Sequence, residues 1–155
     1  MLTHRQALMT RPEYQEMIRP ASVARQEREF RELVPLVTLL HKSSVGLLAG
    51  TDIAASILYL GFSLHDELAL LVEAGLTPME ALQAATRNPA RAMNRDDIGT
   101  VEAGKLADLV ILSANPLDDI RNTVKIRAVV FNGQLHERSS LDALLRRAQD
   151  EARES

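Results

Sequence analysis

The chain has 155 residues, 46% of them hydrophobic and 25% charged, which is the composition of a globular domain with a packed core. Eighteen Lys and Arg side chains are interspersed with 21 Asp and Glu, and no run of about 18 apolar residues occurs, so the sequence predicts neither a nucleic-acid nor a membrane partner. Cysteine is absent, which excludes disulfides and leaves His, Asp and Glu as the metal ligands available.

The first helix is predicted from Ser22 to His41. Apolar residues recur there at three- and four-residue intervals, at Phe30, Leu33, Val34, Val37 and Leu40. Pro35 falls inside this pattern, and proline lacks the N–H that a helix interior needs. We therefore expect either a kink or two short helices that meet at Pro35.

A short apolar segment, Val45 to Ala49, predicts a strand that helices cover on both faces. Asp52 lies just beyond the carboxyl end of this strand. Active sites in parallel α/β folds lie at the carboxyl ends of strands, which gives Asp52 a functional interpretation. From position alone, an equally good interpretation is that Asp52 caps the turn or the next helix.

A helix with a clear start signal follows. Ser63 and Asp66 have the spacing of a capping box, in which side chain and backbone satisfy each other's hydrogen bonds. Apolar residues follow at helical spacing, and Gly75 is suited to a left-handed cap at the carboxyl end.

A second helix is predicted to start at Thr77, since Pro78 and Glu80 complete the signature of a capped first turn. Its expected apolar face consists of Met79, Leu82 and Ala85. Asn88, followed by a proline, predicts a further capped helical turn through Met93.

Beyond Gly99 the apolar pattern changes to a period of two and predicts a small antiparallel sheet. The expected strands are Ala107 to Leu112, Lys125 to Phe131 and Gln134 to Glu137. Asn132 and Gly133 predict a two-residue hairpin turn between the last two. The tail predicts an amphipathic helix behind a cap formed by Ser139 and Asp142.

The chain offers few metal ligands. The histidines are His4, His41, His65 and His136, and none form an H-x-H or H-x-x-x-H pair. A catalytic metal needs three or four donors on fixed elements, so the residues alone do not assemble a metal centre. Asp52 is the single well-placed donor.

Three motifs together carry a resemblance to a known family: GLLAGTD, LHDELALLVEAGLTPMEALQAATRNPARAM, and IGTVEAGKLADLVILSANPLDDI followed by VVFNGQL. In this order, residues 45 to 135 resemble the C-terminal part of the amidohydrolase superfamily, in particular its imidazolonepropionase-like and prolidase-like branch. The expected fold class is α/β: the C-terminal portion of a (β/α)8 barrel, a small antiparallel sheet from the flanking β-sandwich, and a terminal helix. The corresponding boundaries are 1–94, 95–138 and 139–155.

The resemblance implies that Val45 to Ala49 is the eighth barrel strand and that Asp52 is the catalytic aspartate. In that family this residue contacts the metal, takes a proton from the attacking water and passes it to the departing atom. His65 is a candidate substrate contact, with exposure near the helix cap as the alternative. Lys105 and Asp108 lie outside the barrel mouth, where a structural role is expected.

An intact barrel takes about 250 residues, so most of one is missing here. The resemblance therefore implies a C-terminal fragment of a hydrolase acting on amide or related C–N bonds of a small molecule or short peptide. A divalent metal, with zinc expected, belongs to the complete enzyme, and none is expected on this chain alone. The alternative is a non-catalytic interaction or oligomerisation module. A fragment should expose the apolar faces at its barrel edge and associate through them, whereas a module should cover them.

Overall fold

A computed structural model describes residues 19–51 and 62–154 of the chain. The elements, in chain order, are α1 (Pro20–Lys42), α2 (Ser63–Glu73), α3 (Pro78–Ala85), α4 (Arg87–Ala92), β1 (Leu109–Leu112), a 3₁₀ helix (Ile120–Val124), β2 (Ile126–Phe131), β3 (Gln134–Glu137) and α5 (Arg138–Glu154). Residues Pro35–Glu137 form one unit, and the segments on either side form another. Each described helix is too short or too polar to cross a membrane.

Helix α1 is one continuous helix through Pro35, so the predicted alternative of two short helices is wrong. A proline inside a helix costs about 3 kcal/mol, which tertiary contacts must offset. One such contact lies a turn further on, where the Thr38 hydroxyl donates to the Ala74 carbonyl at 2.6 Å. The carboxyl half of α1 is thereby bonded to the turn between α2 and α3.

Helix α2 ends as predicted but begins differently. Gly75 has φ +107°, and the N–H groups of Gly75 and Leu76 bond back to Val72 and Leu71 at 3.0 and 3.1 Å, which is a Schellman motif. At the other end the capping residue is Phe62, which makes no side-chain cap bond, so the predicted Ser63 and Asp66 box is wrong. Ser63 is buried inside the first turn instead.

Helix α3 begins with the predicted capping box. Glu80 Oε2 accepts from the Thr77 N–H at 2.8 Å, and the Thr77 hydroxyl oxygen accepts from the Glu80 N–H at 3.3 Å. The predicted apolar face is wrong in one member, because Met79 is 46% exposed whereas Ala81 and Ala84 are fully buried. Small residues on the inner face let neighbouring backbone approach α3 closely.

The core of the larger unit lies between the helices rather than under the sheet. It consists of Leu68, Leu71, Leu76, Ala81, Ala84 and Ile120. Ile120 belongs to the 3₁₀ helix, so this short element is held directly against α2. Leu47 and Ala49 pack against the same cluster from the segment that precedes Asp52.

The predicted antiparallel sheet is confirmed, with strand order β1-β2-β3. The first strand begins at Leu109, two residues later than expected. Asn132 and Gly133 have φ +49° and +74°, the positive values that a type I′ hairpin turn requires.

In the other unit, α5 begins at Arg138, so Ser139 lies inside the helix and the predicted cap is wrong. Asp142 instead accepts hydrogen bonds from the Arg138 guanidinium one turn earlier.

Candidate functional site

Residues 45–51, the segment that leads to Asp52, do not form a strand. Residues 45–50 carry no strand assignment, so the strand predicted over Val45 to Ala49 is not observed. A strand exists only beside another strand, and the three described strands pair with one another. The side chains nonetheless alternate as in a strand, with Leu47 and Ala49 packed inward and Leu48 52% exposed.

Helices hold this segment through its backbone. The Ala49 N–H donates to the Ala84 carbonyl of α3 at 2.9 Å, and the Asn88 side-chain amide of α4 donates to the Leu47 carbonyl at 3.1 Å. The Gly50 N–H lies 3.5 Å from Glu67 Oε1 of α2, at the limit of hydrogen bonding. Residues of three helices therefore contact the backbone of the segment from Leu47 to Gly50.

Asp52, the predicted catalytic and metal-contacting residue, lies outside the described residues, as does His4. The described segment ends at Thr51, which is half-buried.

Asn88 has a different role from the predicted one. The residue that caps α4 is Thr86, and its side chain makes no cap bond, so the prediction that Asn88 caps a helical turn is wrong. The Asn88 Nδ2 group instead reaches Leu47, 41 residues earlier, while its Oδ1 lies 3.4 Å from Arg87 Nε. Sequence reasoning missed this contact because an asparagine before a proline has the same local pattern as a cap.

Replacement of Asn88 by aspartate is expected to destabilise the chain by about 1–3 kcal/mol, because the Leu47 carbonyl loses its donor and faces a carboxylate. Urea unfolding followed by circular dichroism measures this loss. Asn122→Asp is the matched control, since the Asn122 amide makes the same kind of bond, to the Asn115 carbonyl, at an exposed site. Equal losses in the two variants would contradict a specific role for Asn88.

His65, the candidate substrate contact, lies half-buried in the first turn of α2. Its Nδ1 lies 3.0 Å from the Thr123 hydroxyl oxygen of the 3₁₀ helix. The neighbouring backbone is regular, with the His65 N–H donating to the Phe62 carbonyl at 3.0 Å. His65 is therefore bonded to another part of the protein and is not simply exposed at the cap.

The other described histidines lie elsewhere. His41, near the end of α1, has Nε2 3.7 Å from Glu80 Oε2, and His136 lies on β3. Among residues 19–51 and 62–154, no three His, Asp or Glu side chains come together as metal ligands.

Lys105 and Asp108 make local structural contacts. Lys105 Nζ donates to the Thr100 hydroxyl at 2.5 Å and lies 3.1 Å from Glu102 Oε2. Asp108 Oδ1 accepts from the Asn132 N–H at 2.9 Å, which fastens the hairpin turn to the start of β1. Both contacts agree with the structural role expected for these residues.

The carboxyl groups with clearly lowered pKa values are Glu80, Asp97, Glu102 and Asp142. In each case the main cause is a side-chain hydrogen bond from a neighbour close in sequence, such as the Lys105 ammonium that lowers the pKa of Glu102. These groups are ionised parts of local motifs and do not form an acid and base pair.

An open pocket of about 490 Å³, which sequence reasoning did not predict, lies between α4 and the turn that precedes β1. Its lining includes Arg87, Arg91, Asp96, Glu102 and Lys105. Neither His65 nor the segment from Leu47 to Thr51 lines it, so this pocket is separate from the candidate site.

The sequence of the chain is similar to those of known proteins. The model of the amidohydrolase family matches residues 2–136. An adenine deaminase of Ligilactobacillus salivarius is 30% identical over 98 residues, which cover 63% of this chain and 16% of that protein. An imidazolonepropionase of Pyrobaculum arsenaticum is 39% identical over 77 residues, which cover 50% of this chain and 19% of that protein.

A solved structure shows the same likeness in three dimensions. The crystal structure of a Xaa-Pro dipeptidase with bound methionine in the active site superposes with a TM-score of 0.61 at 31% identity, over 68% of this chain and 25% of that one. The chain thus spans less than a fifth of the two curated relatives and a quarter of this solved structure.

Proposed function

The chain belongs to the amidohydrolase family, and we propose from this membership that it is the C-terminal part of a metal-dependent hydrolase cleaving amide or other C–N bonds of a small molecule. The observation that carries the proposal is the family match along residues 2–136. Relatives named as an adenine deaminase, an imidazolonepropionase and a Xaa-Pro dipeptidase support chemistry at C–N bonds. The substrate class is an amide-type small molecule or a short peptide.

Asp52 is the proton-transfer group in this proposal. Its carboxylate accepts a proton from the attacking water and delivers it to the departing nitrogen, which is general base followed by general acid catalysis. The anchored segment from Leu47 to Gly50 supports this role, because a group that moves a proton must be held in a fixed place. His65 is proposed as a substrate contact in the helix that follows.

The described residues do not fit a complete metal centre, since no three potential ligands come together among them. The proposal therefore assigns to this chain one metal contact, Asp52, and places the remaining ligands in the rest of the hydrolase. A divalent metal, for which zinc is proposed, would lower the pKa of a water molecule bound to it, so that this water loses its proton more readily than bulk water does.

Large apolar side chains are exposed in or next to the anchored segment and on the sheet, among them Val45, Leu48, Val110, Phe131 and Leu135. This exposure supports an incomplete hydrolase over the second candidate, a self-sufficient interaction module, which should cover such faces. We propose the exposed face of residues 45–49 as the surface through which the chain joins the rest of the barrel or a second copy of itself.

The test compares this chain with a longer protein in which it follows the missing barrel strands. We expect the longer protein to carry stoichiometric zinc and to hydrolyse a compound from a panel of adenine, imidazolonepropionate and Xaa-Pro dipeptides. This chain alone should carry far less than one metal ion and should sediment as oligomers. One tightly bound zinc ion per copy of this chain alone, or a longer protein with neither metal nor activity, would overturn the proposal.

A further inference from the structure

A histidine and a threonine 58 residues apart in sequence meet at the side of α2. His65 Nδ1 lies 3.0 Å from Thr123 Oγ1, and the same oxygen lies 2.9 Å from the Ile120 carbonyl oxygen. Thr123 is only 5% exposed, so water has little access to its hydroxyl group. The hydroxyl group therefore needs its hydrogen-bond partners within the protein.

The number of hydrogens decides how these contacts are made. A threonine hydroxyl has one hydrogen, and a carbonyl oxygen can only accept. If that hydrogen pointed at His65 Nδ1, two oxygen atoms would face each other at 2.9 Å with no hydrogen between them. If it points at the Ile120 carbonyl, the threonine oxygen is free to accept from an N–H on Nδ1. Only the second arrangement makes both contacts hydrogen bonds.

The 3₁₀ helix that carries Thr123 is held against α2 by a buried side chain. The 3₁₀ helix is capped by Asp119, whose Oδ1 accepts from the Arg121 N–H at 2.9 Å, and it packs through buried Ile120 against Leu68 and Leu71 of α2. His65 lies on that same helix, so donor and acceptor are fixed by one core.

We propose that Thr123 is a positioning residue that selects the tautomer of His65: whenever the ring is neutral, its proton is on Nδ1 and Nε2 presents a lone pair. A ring nitrogen in that state accepts a hydrogen bond and cannot donate one. His65 then recognises a hydrogen-bond donor on the substrate, such as an amide N–H, and does not recognise a carbonyl oxygen or a carboxylate. The substrate contact in this inference rests on the proposed function, whereas the tautomer does not.

Helix α2 lies beside the segment that precedes Asp52. Glu67 of this helix has Oε1 3.5 Å from the N–H of Gly50, and Gly50 lies two residues before Asp52. Side chains two residues apart on a helix point to nearly opposite sides, so this contact positions α2 and not the His65 ring.

The tautomer can be measured on this chain without any activity. Long-range ¹H–¹⁵N spectra of ¹⁵N-histidine-labelled protein, recorded at about pH 9, above the range in which histidines ordinarily titrate, distinguish protonated from bare ring nitrogens. We expect His65 to show a protonated Nδ1 and a bare Nε2. Thr123→Ser should retain that signature, and Thr123→Val should shift it toward the other tautomer. A wild-type His65 with its proton on Nε2 would overturn the proposal.

The substrate role is tested in the longer hydrolase with two variants of His65. Asparagine places an amide donor near the Nδ1 position but removes the acceptor at Nε2, whereas glutamine places an acceptor near Nε2. We expect His65→Asn to raise KM about 10-fold with kcat changed less than twofold, and His65→Gln to restore part of the loss. Equal KM values in all three proteins would overturn the substrate role. A longer protein without any activity would refute the proposed function, while the spectra would still decide the tautomer.

Discussion

Replacing Asp52 by asparagine in the longer hydrolase is expected to lower kcat by about 10²- to 10⁴-fold, the range that a positioned general acid and base contributes. The amide has nearly the shape of the carboxylate but cannot accept the proton of the attacking water. Steady-state kinetics on a substrate identified from the panel measures the effect. Asp66→Asn serves as the control, since Asp66 is an exposed carboxylate in the first turn of α2, and its kcat should stay within about twofold of wild type.

The same variant separates the two interpretations of Asp52 that the sequence leaves open. Asparagine caps a turn about as well as aspartate, so a residue that only caps should leave both kcat and the free energy of unfolding nearly unchanged in Asp52→Asn. A catalytic residue should lose kcat in the same variant. Wild-type kcat in Asp52→Asn would therefore refute the catalytic assignment.

Gly99→Ala is expected to destabilise the larger unit by about 3 kcal/mol or more. A Cβ at this position would lie 2.7 Å from Ala90 Cβ and 2.9 Å from the Thr86 carbonyl oxygen, so the turn that follows α4 would have to move away from the helix. Overpacking of this kind costs about 1–3 kcal/mol. The backbone adds a further cost, because φ is +87° and an L-residue with a positive φ loses about 1–2 kcal/mol.

Gly104→Ala is the matched control, since Gly104 also has φ +87° but would place no atom within 4 Å of its Cβ. Its loss should be about 1–2 kcal/mol, from the backbone alone. Urea unfolding of both variants gives the difference, which isolates the close packing of Gly99 on α4. If the two variants lose the same free energy, the steric argument for Gly99 is wrong.

Features specified by neighbouring residues could be predicted from the sequence. The Thr77 cap, the left-handed Gly75 and the Asn132–Gly133 hairpin turn each depend on a local hydrogen bond or a φ value that few residue types supply. The antiparallel sheet follows from its apolar alternation and from that hairpin.

Features decided by tertiary contacts could not be predicted in this way. Ser63 has the spacing of a cap, but burial places it inside the first turn of α2. Asn88 also has the spacing of a cap, but the Leu47 carbonyl recruits its amide. The strand expected over Val45 to Ala49 has the right pattern and no partner among the described strands.

The candidate site also combines a feature that the local sequence indicates with one that depends on tertiary contacts. The apolar segment and its position identified Asp52 as a candidate, yet its proposed role depends on the family resemblance, since a single carboxylate is equally consistent with a cap. The pairing of His65 with Thr123 has no signal in either local sequence, because it arises when the 3₁₀ helix packs on α2.

The capping box of α3 makes the stability of the folded chain depend on pH in the acid range. The Thr77 side-chain and backbone hydrogen bonds hold the pKa of Glu80 below its ordinary value of about 4.3, so the folded chain binds a proton there less readily than the unfolded chain. The stabilisation is complete above that ordinary value and is lost as the pH falls through the lowered pKa of the folded state. Acid that protonates Glu80 weakens the cap of α3, and α3 also carries Ala84, whose carbonyl accepts from the Ala49 N–H in the segment leading to Asp52.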